Sequence, residues 1–145
     1  MPTVLITGTS SGFGLVTAVE LAKRGWNVIA TMRDLTKRAE LDRAAAAAGV
    51  TKLVRIEQLD VTDVRSIDRA LSDLDLQHRP LDAVVHNAGV AVGGAFEDLS
   101  DAHVRRVMDV NYFGVLALTQ RLLPSFRAQR RGRIVIVSSE SAFAG

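Results

Sequence analysis

The sequence predicts an α/β fold in which helices cover both faces of a parallel sheet. Five apolar runs of strand length alternate with segments of helical period, a glycine-rich turn joins the first run to the first helix, and the polar residues of chemical interest recur where the runs end. Such alternation is what parallel strands require, because each crossover needs a helix-length return path. With 145 residues and a hydrophobic fraction of 48%, the chain is the size of one domain with a sizeable core.

In chain order, strands are expected at 3–7, 27–31, 53–58, 81–85 and 133–137. Helices are expected at 13–24, at 35–48 with its alanine run, at 64–76, and over a long stretch from 101 to 129 that Pro124 is expected to kink or divide. Ligands of open α/β sheets bind beyond the carboxyl ends of the strands. Those ends are Thr7-Gly8, Met32-Arg33, Leu59-Asp60, His86-Asn87-Ala88-Gly89 and Ser138-Ser139.

Composition narrows the function classes. Lys and Arg total 18 against 16 Asp and Glu, a formal net charge of +2, and apart from Arg127, Arg130, Arg131 and Arg133 the signs are interspersed. No nucleic-acid partner is expected. The absence of cysteine excludes disulfides and a thiol nucleophile. His86, His78 and His103 have no metal-like spacing, and His86 is expected to be partly buried and bonded to backbone. The first residues lack a basic leader, and no run approaches the roughly eighteen apolar residues of a spanning helix. A cytoplasmic protein with no membrane partner is the expectation.

Gly8-Thr9-Ser10-Ser11-Gly12-Phe13-Gly14 lies between a strand and an amphipathic helix. Its backbone N–H groups and the helix N-terminus suit an anionic phosphate, and no lysine follows to make an ATPase loop. The bland alternative is a tight turn. Gly8-Thr9-Ser10-Ser11-Gly12 also matches G-x-S-x-G, which leaves a serine hydrolase acting through Ser10 as a remote alternative. Only seven residues precede the loop, too few for the strands that normally come before such an elbow.

Five motifs in order resemble the short-chain dehydrogenase/reductase family. Thr7-Gly8-Thr9-Ser10-Ser11-Gly12-Phe13-Gly14 is similar to its T-G-x-x-x-G-x-G signature, and Leu59-Asp60-Val61, His86-Asn87-Ala88-Gly89, Asp109-Val110-Asn111 and Gly132-Arg133-Ile134-Val135-Ile136-Val137-Ser138-Ser139 follow. Ile29-Ala30-Thr31-Met32-Arg33-Asp34-Leu35 resembles the hydroxysteroid and retinol dehydrogenase branch. The resemblance implies a Rossmann-type three-layer fold and hydride transfer between an alcohol and a ketone or aldehyde. Gly8, Ser10, Ser11, Gly12, Phe13 and Gly14 would hold the pyrophosphate, Asp60 and Val61 the adenine, and Asn87, Ala88 and Gly89 would let the nucleotide lie against backbone.

Met32 stands where NAD-preferring relatives have an acid, and Arg33 follows; an arginine pairs with the 2′-phosphate of NADP. NADP is therefore expected over NAD, with Ser11 as a second donor, although Asp34 could serve as the acid if the strand ran two residues longer. Asn111, in a helix with Val107, Met108, Val115 and Leu118 on one face, is expected to direct its amide into an apolar core. The resemblance makes Asn111 and Ser139 catalytic, the first in a proton relay and the second bonding the substrate carbonyl. It also implies a tyrosine with a lysine four residues later. The sole tyrosine is Tyr112, Leu116 stands four residues on, and the last lysine is Lys52. Residues 1–145 are thus expected to be the N-terminal portion of a longer dinucleotide-binding domain, cut after the fifth strand and inactive alone. A non-catalytic nucleotide-binding or regulatory domain is the alternative, and a homo-oligomer is possible in either case.

Overall fold

A computed structural model describes residues 1–76 and 79–140; His78 lies outside them. In chain order the elements are β1 (Thr3–Thr7), α1 (Gly12–Lys23), β2 (Asn27–Met32), α2 (Ala39–Ala47), β3 (Val54–Gln58), α3 (Val64–Asp73), β4 (Ala83–His86), α4 (Asp101–Met108), a π-turn (Asp109–Phe113), α5 (Gly114–Ala128) and β5 (Arg133–Ile136). The strands form one parallel sheet in the order β3-β2-β1-β4-β5. The order reverses beside β1, so the crevice between the carboxyl ends of β1 and β4 is the ligand position of an open sheet.

Side-chain alternation sorts the core into two layers. Val4 and Ile6 of β1, with Val28 and Ala30 of β2, pack with Leu15 and Ala18 of α1 and Leu41 of α2. Leu5 and Ile29 point the other way and pack with Ile67 of α3 and Leu118, Leu122 and Phe126 of α5. The three-layer Rossmann-type architecture follows directly.

Each expected strand is present within one or two residues. The long helical stretch differs. Pro124 lies inside α5 and does not divide it. Pro124 and Gln120 are both exposed, so water can satisfy the Gln120 carbonyl that loses its i+4 donor. The interruption falls instead at Asp109–Phe113, where the ladder widens to a π-turn. Among the described residues no helix is long and apolar enough to cross a membrane.

Candidate functional site

The carboxyl ends of β1 and β4 are tied together by one threonine. Thr7 Oγ1 accepts the backbone N–H groups of Asn87 and Ala88, both at 3.0 Å. Asn87 returns the contact, its Nδ2 donating to the carbonyls of Thr7 at 3.0 Å and Gly8 at 2.9 Å. A parallel set joins β1 to β2: the backbone N–H and the hydroxyl of Thr9 both reach the Thr31 carbonyl, and the Thr31 hydroxyl donates to the Ile6 carbonyl. Thr7, Thr9 and Thr31 are at most 1% exposed, so these bonds are made without competition from water.

On this floor the glycine loop enters α1. A Cβ at Gly14 would lie 2.2 Å from the Gly8 carbonyl oxygen and 2.4 Å from Asn87 Nδ2, so helix and strand approach only because position 14 has none. Gly12 has φ +59°, and a Cβ there would meet nothing within 4 Å; its open side faces away from the protein. Ser11 is the N-cap of α1, yet its side chain makes no capping bond, and the first turn holds no acidic residue. The unsatisfied N–H groups and their positive end of the helix dipole are left uncompensated by protein.

These groups open onto a cleft of about 370 Å³ that Gly8, Ser10, Ser11 and Phe13 share with Arg33, Asp60, Val61, Asn87, Ala88 and Gly89. Phe13 is 82% exposed. β2 ends at Met32, so Arg33 is the first residue past it, with its side chain exposed. The longer strand that would have brought Asp34 into play does not form. Asp34 instead caps a short 3-10 turn, its Oδ1 accepting from the Thr36 N–H at 3.0 Å and the Thr36 hydroxyl at 2.7 Å. Those bonds, side chain first, hold its carboxyl below the usual range. Asp60 is not the helix cap, a role Asp63 fills for α3. Its Oδ1 accepts from the N–H and hydroxyl of Thr62 at 2.9 and 2.8 Å.

A second cleft of about 570 Å³ adjoins the first through Asn87–Val90 and is bordered by His86, Asn111 and Ser139. Asn111 corrects the expectation of a buried amide. It is exposed, and its amide clamps one residue, Oδ1 accepting from the Val90 N–H at 2.9 Å and Nδ2 donating to the Val90 carbonyl at 2.8 Å. Its neighbours on the projected face, Val107, Met108 and Val115, are not buried either, so among the described residues that face opens to the cleft and solvent rather than onto a core. Ser139 borders the same cleft, three residues beyond the end of β5.

His86 is 3% exposed. Its Nε2 lies 3.0 Å from the Thr119 hydroxyl of α5 rather than bonding backbone as expected. Burial lowers its pKa to about 4. Neither it nor His103, on α4, borders the cleft that holds Ser10, so the serine hydrolase arrangement is not assembled among the described residues. Sequence reasoning missed Thr7, Thr9, Thr31, Val90 and Thr119. The one available signal was a threonine at the polar end of an otherwise aliphatic strand.

The short chain dehydrogenase profile matches residues 2–145. The chain is 42% identical over 146 residues to retinol dehydrogenase 8 of Bos taurus, covering 99% of this chain and 46% of that protein. It is 36% identical over 146 residues to 17-beta-hydroxysteroid dehydrogenase type 1 of Homo sapiens, covering 98% and 44%. Among solved structures, a variant actinorhodin polyketide ketoreductase with NADPH superposes with a TM-score of 0.90 at 29% identity, over 99% of this chain and 55% of that one. The chain spans about half the length of the curated relatives it matches. A profile match over nearly every residue, on a sheet whose glycine loop, Asn87–Gly89 turn and Asn111 clamp meet at one crevice, makes this chain a member of the short-chain dehydrogenase/reductase family.

Proposed function

We propose that these 145 residues form the dinucleotide-binding part of an NADP(H)-dependent oxidoreductase that interconverts a small-molecule alcohol with its ketone or aldehyde. The observation that carries the reading is the uncapped N-terminus of α1, opening on a cleft that also holds Arg33. The residues fit a dinucleotide: Gly8, without a side chain, leaves room in the cleft for a pyrophosphate, the α1 N–H groups and the Ser10 and Ser11 hydroxyls supply donors, and Arg33 supplies a cation for a 2′-phosphate. Asp34 is turned to Thr36 and does not border the cleft, which leaves Arg33 as the charged side chain that the end of β2 gives to it. Asp60 and Val61 would border the adenine, and the solved relative with NADPH supports the choice of NADP over NAD.

When bound, the nicotinamide supplies or accepts the hydride. The residues of this chain hold and orient around it. Asn87, Ala88 and Gly89, fixed by Thr7, would keep the floor flat against the nucleotide. Asn111, by clamping Val90, would set the wall between the two clefts. Ser139 would donate a hydrogen bond to the substrate oxygen. Orientation of this kind supplies most of the rate that geometry can give. The family assigns proton transfer to a tyrosine and lysine pair with no counterpart in these residues, so this chain by itself is expected to bind cofactor without turning over.

Calorimetry tests the reading. NADPH should bind more tightly than NADH, and Arg33→Ala should weaken NADPH by about 1–3 kcal/mol while leaving NADH nearly unchanged. Equal affinities for the two cofactors, or an Arg33→Ala variant with intact preference, would overturn the NADP assignment.

A further inference from the structure

The fold brings the arginine cluster at 127–133 to the same edge as cations that are interspersed elsewhere in the sequence. In a parallel sheet all strands start at one edge, and the crossover helices end there. Nine exposed cations fall on that edge, opposite the clefts. Lys23, Arg55 and Arg131 are paired, with Glu20, Glu57 and Asp82 respectively. Arg24, Lys52, Arg79, Arg127, Arg130 and Arg133 have no carboxylate within ion-pair distance among the described residues. The edge carries five carboxylates, Glu20, Glu57, Asp73, Asp75 and Asp82, so its surplus is four positive charges; the rest of the chain holds nine cations against eleven carboxylates, a deficit of two.

The cations are continuous in space. Lys52, Arg55 and Arg79 border a shallow concavity beneath Thr3 and Asn27. Trp26, Arg131 and Arg133 border another beside Pro2 and Asp82. Asp82 joins the two, accepting from the Thr3 N–H at 2.8 Å through its carboxylate and from the Arg133 N–H at 3.0 Å through its carbonyl.

We propose that this edge docks the protein on a bilayer surface rich in anionic phospholipid, leaving both clefts facing away from it. Five strand starts spaced about 4.8 Å apart make a broad end that carries two separate concavities rather than one continuous groove. A single-stranded nucleic acid is held in a groove with several stacking aromatics, whereas the one aromatic that borders these two concavities is Trp26. A half-buried tryptophan flanked by arginines is suited to the headgroup boundary. The attraction is electrostatic, so it rises with anionic lipid and falls with salt.

The test is co-sedimentation of the purified protein with phosphatidylcholine vesicles, with and without about 30% phosphatidylserine. Binding is expected only with phosphatidylserine, and is expected to vanish between about 0.05 and 0.5 M salt. Each cation is worth about five-fold in partitioning, so the triple variant Lys52→Glu, Arg79→Glu, Arg133→Glu should lose more than about 100-fold. An equal charge change elsewhere, Arg43→Glu, Arg65→Glu, Arg69→Glu, should lose less than about ten-fold. Circular dichroism checks that both remain folded, and the salt dependence of the parent protein stands whether or not they do. No binding to the phosphatidylserine vesicles, equal losses in the two folded variants, or tighter binding to a single-stranded RNA than to the vesicles would overturn the proposal.

Discussion

Strands β1 and β5 flank the same neighbour, β4, and read alike in sequence, yet four of the five β1 residues are buried and none of the four in β5 is. Both are held by regular parallel ladders. The difference lies in what covers them. Among the described residues, β1 has helices on each face and strands on each side, whereas β5 is the last strand of the sheet, with Ile134 41% and Ile136 57% exposed. Ladder bonds place a strand, and packing on its faces decides how much it stabilises.

Truncating β1 tests the stronger side of that contrast. Leu5→Ala removes a side chain with no exposure and should cost about 2–5 kcal/mol in urea unfolding; a loss under about 1 kcal/mol would mean that the sheet centre is no better packed than its edge.

The boundary between the two regions is sensitive to pH. His86 ends β4 and is held near neutrality down to about pH 4. Since an unfolded histidine titrates near 6.5, the unfolded chain binds a proton that the folded chain refuses. Stability is therefore complete above about pH 6.5, declines as pH falls towards 4, and levels off below; the full loss is on the order of 3 kcal/mol. Unfolding followed across that range should show the slope, and His86→Asn should flatten it. An ordinary titration of His86 near pH 6.5 by NMR would show that the side of the sheet near β5 admits water.

The smallest effect belongs to β5. Ile136→Thr should change stability by no more than about 0.5 kcal/mol while reducing self-association in analytical ultracentrifugation, because it removes exposed apolar surface from an open edge.

The strands were legible because buried parallel strands need unbroken apolar runs, and Val4-Leu5-Ile6 or Val28-Ile29-Ala30 can pack in few other ways. The glycine loop was legible for a steric reason, since only glycine fits position 14. Asn111 was legible as a polar residue among apolar ones, but its partner was not: the π-turn has no local signature, and a contact with Val90, 21 residues away, exists only after folding. Asp34 and Asp60 were ambiguous because an Asx turn and a ligand contact use the same side chain at the same strand end. The cation edge was legible only in part, since Arg127, Arg130, Arg131 and Arg133 stand together in the sequence whereas Lys23, Arg24, Lys52, Arg55 and Arg79 join them only once the strands are aligned.

The π-turn also sets the phase of everything that follows it. One residue more or fewer in a helix turns the later residues by about 100° around the axis. Forcing the same residues into an uninterrupted α-helix without changing their number would swing Leu118, Leu122 and Phe126 away from Leu5, while the contact between Asn111 and Val90 would lose its aim. The extra residue is thus a hinge pin between two alignments that a uniform helix cannot satisfy together, one facing the clefts and one facing the core. Length between Met108 and Gly114 is consequently fixed more tightly than the identity of the exposed side chains there.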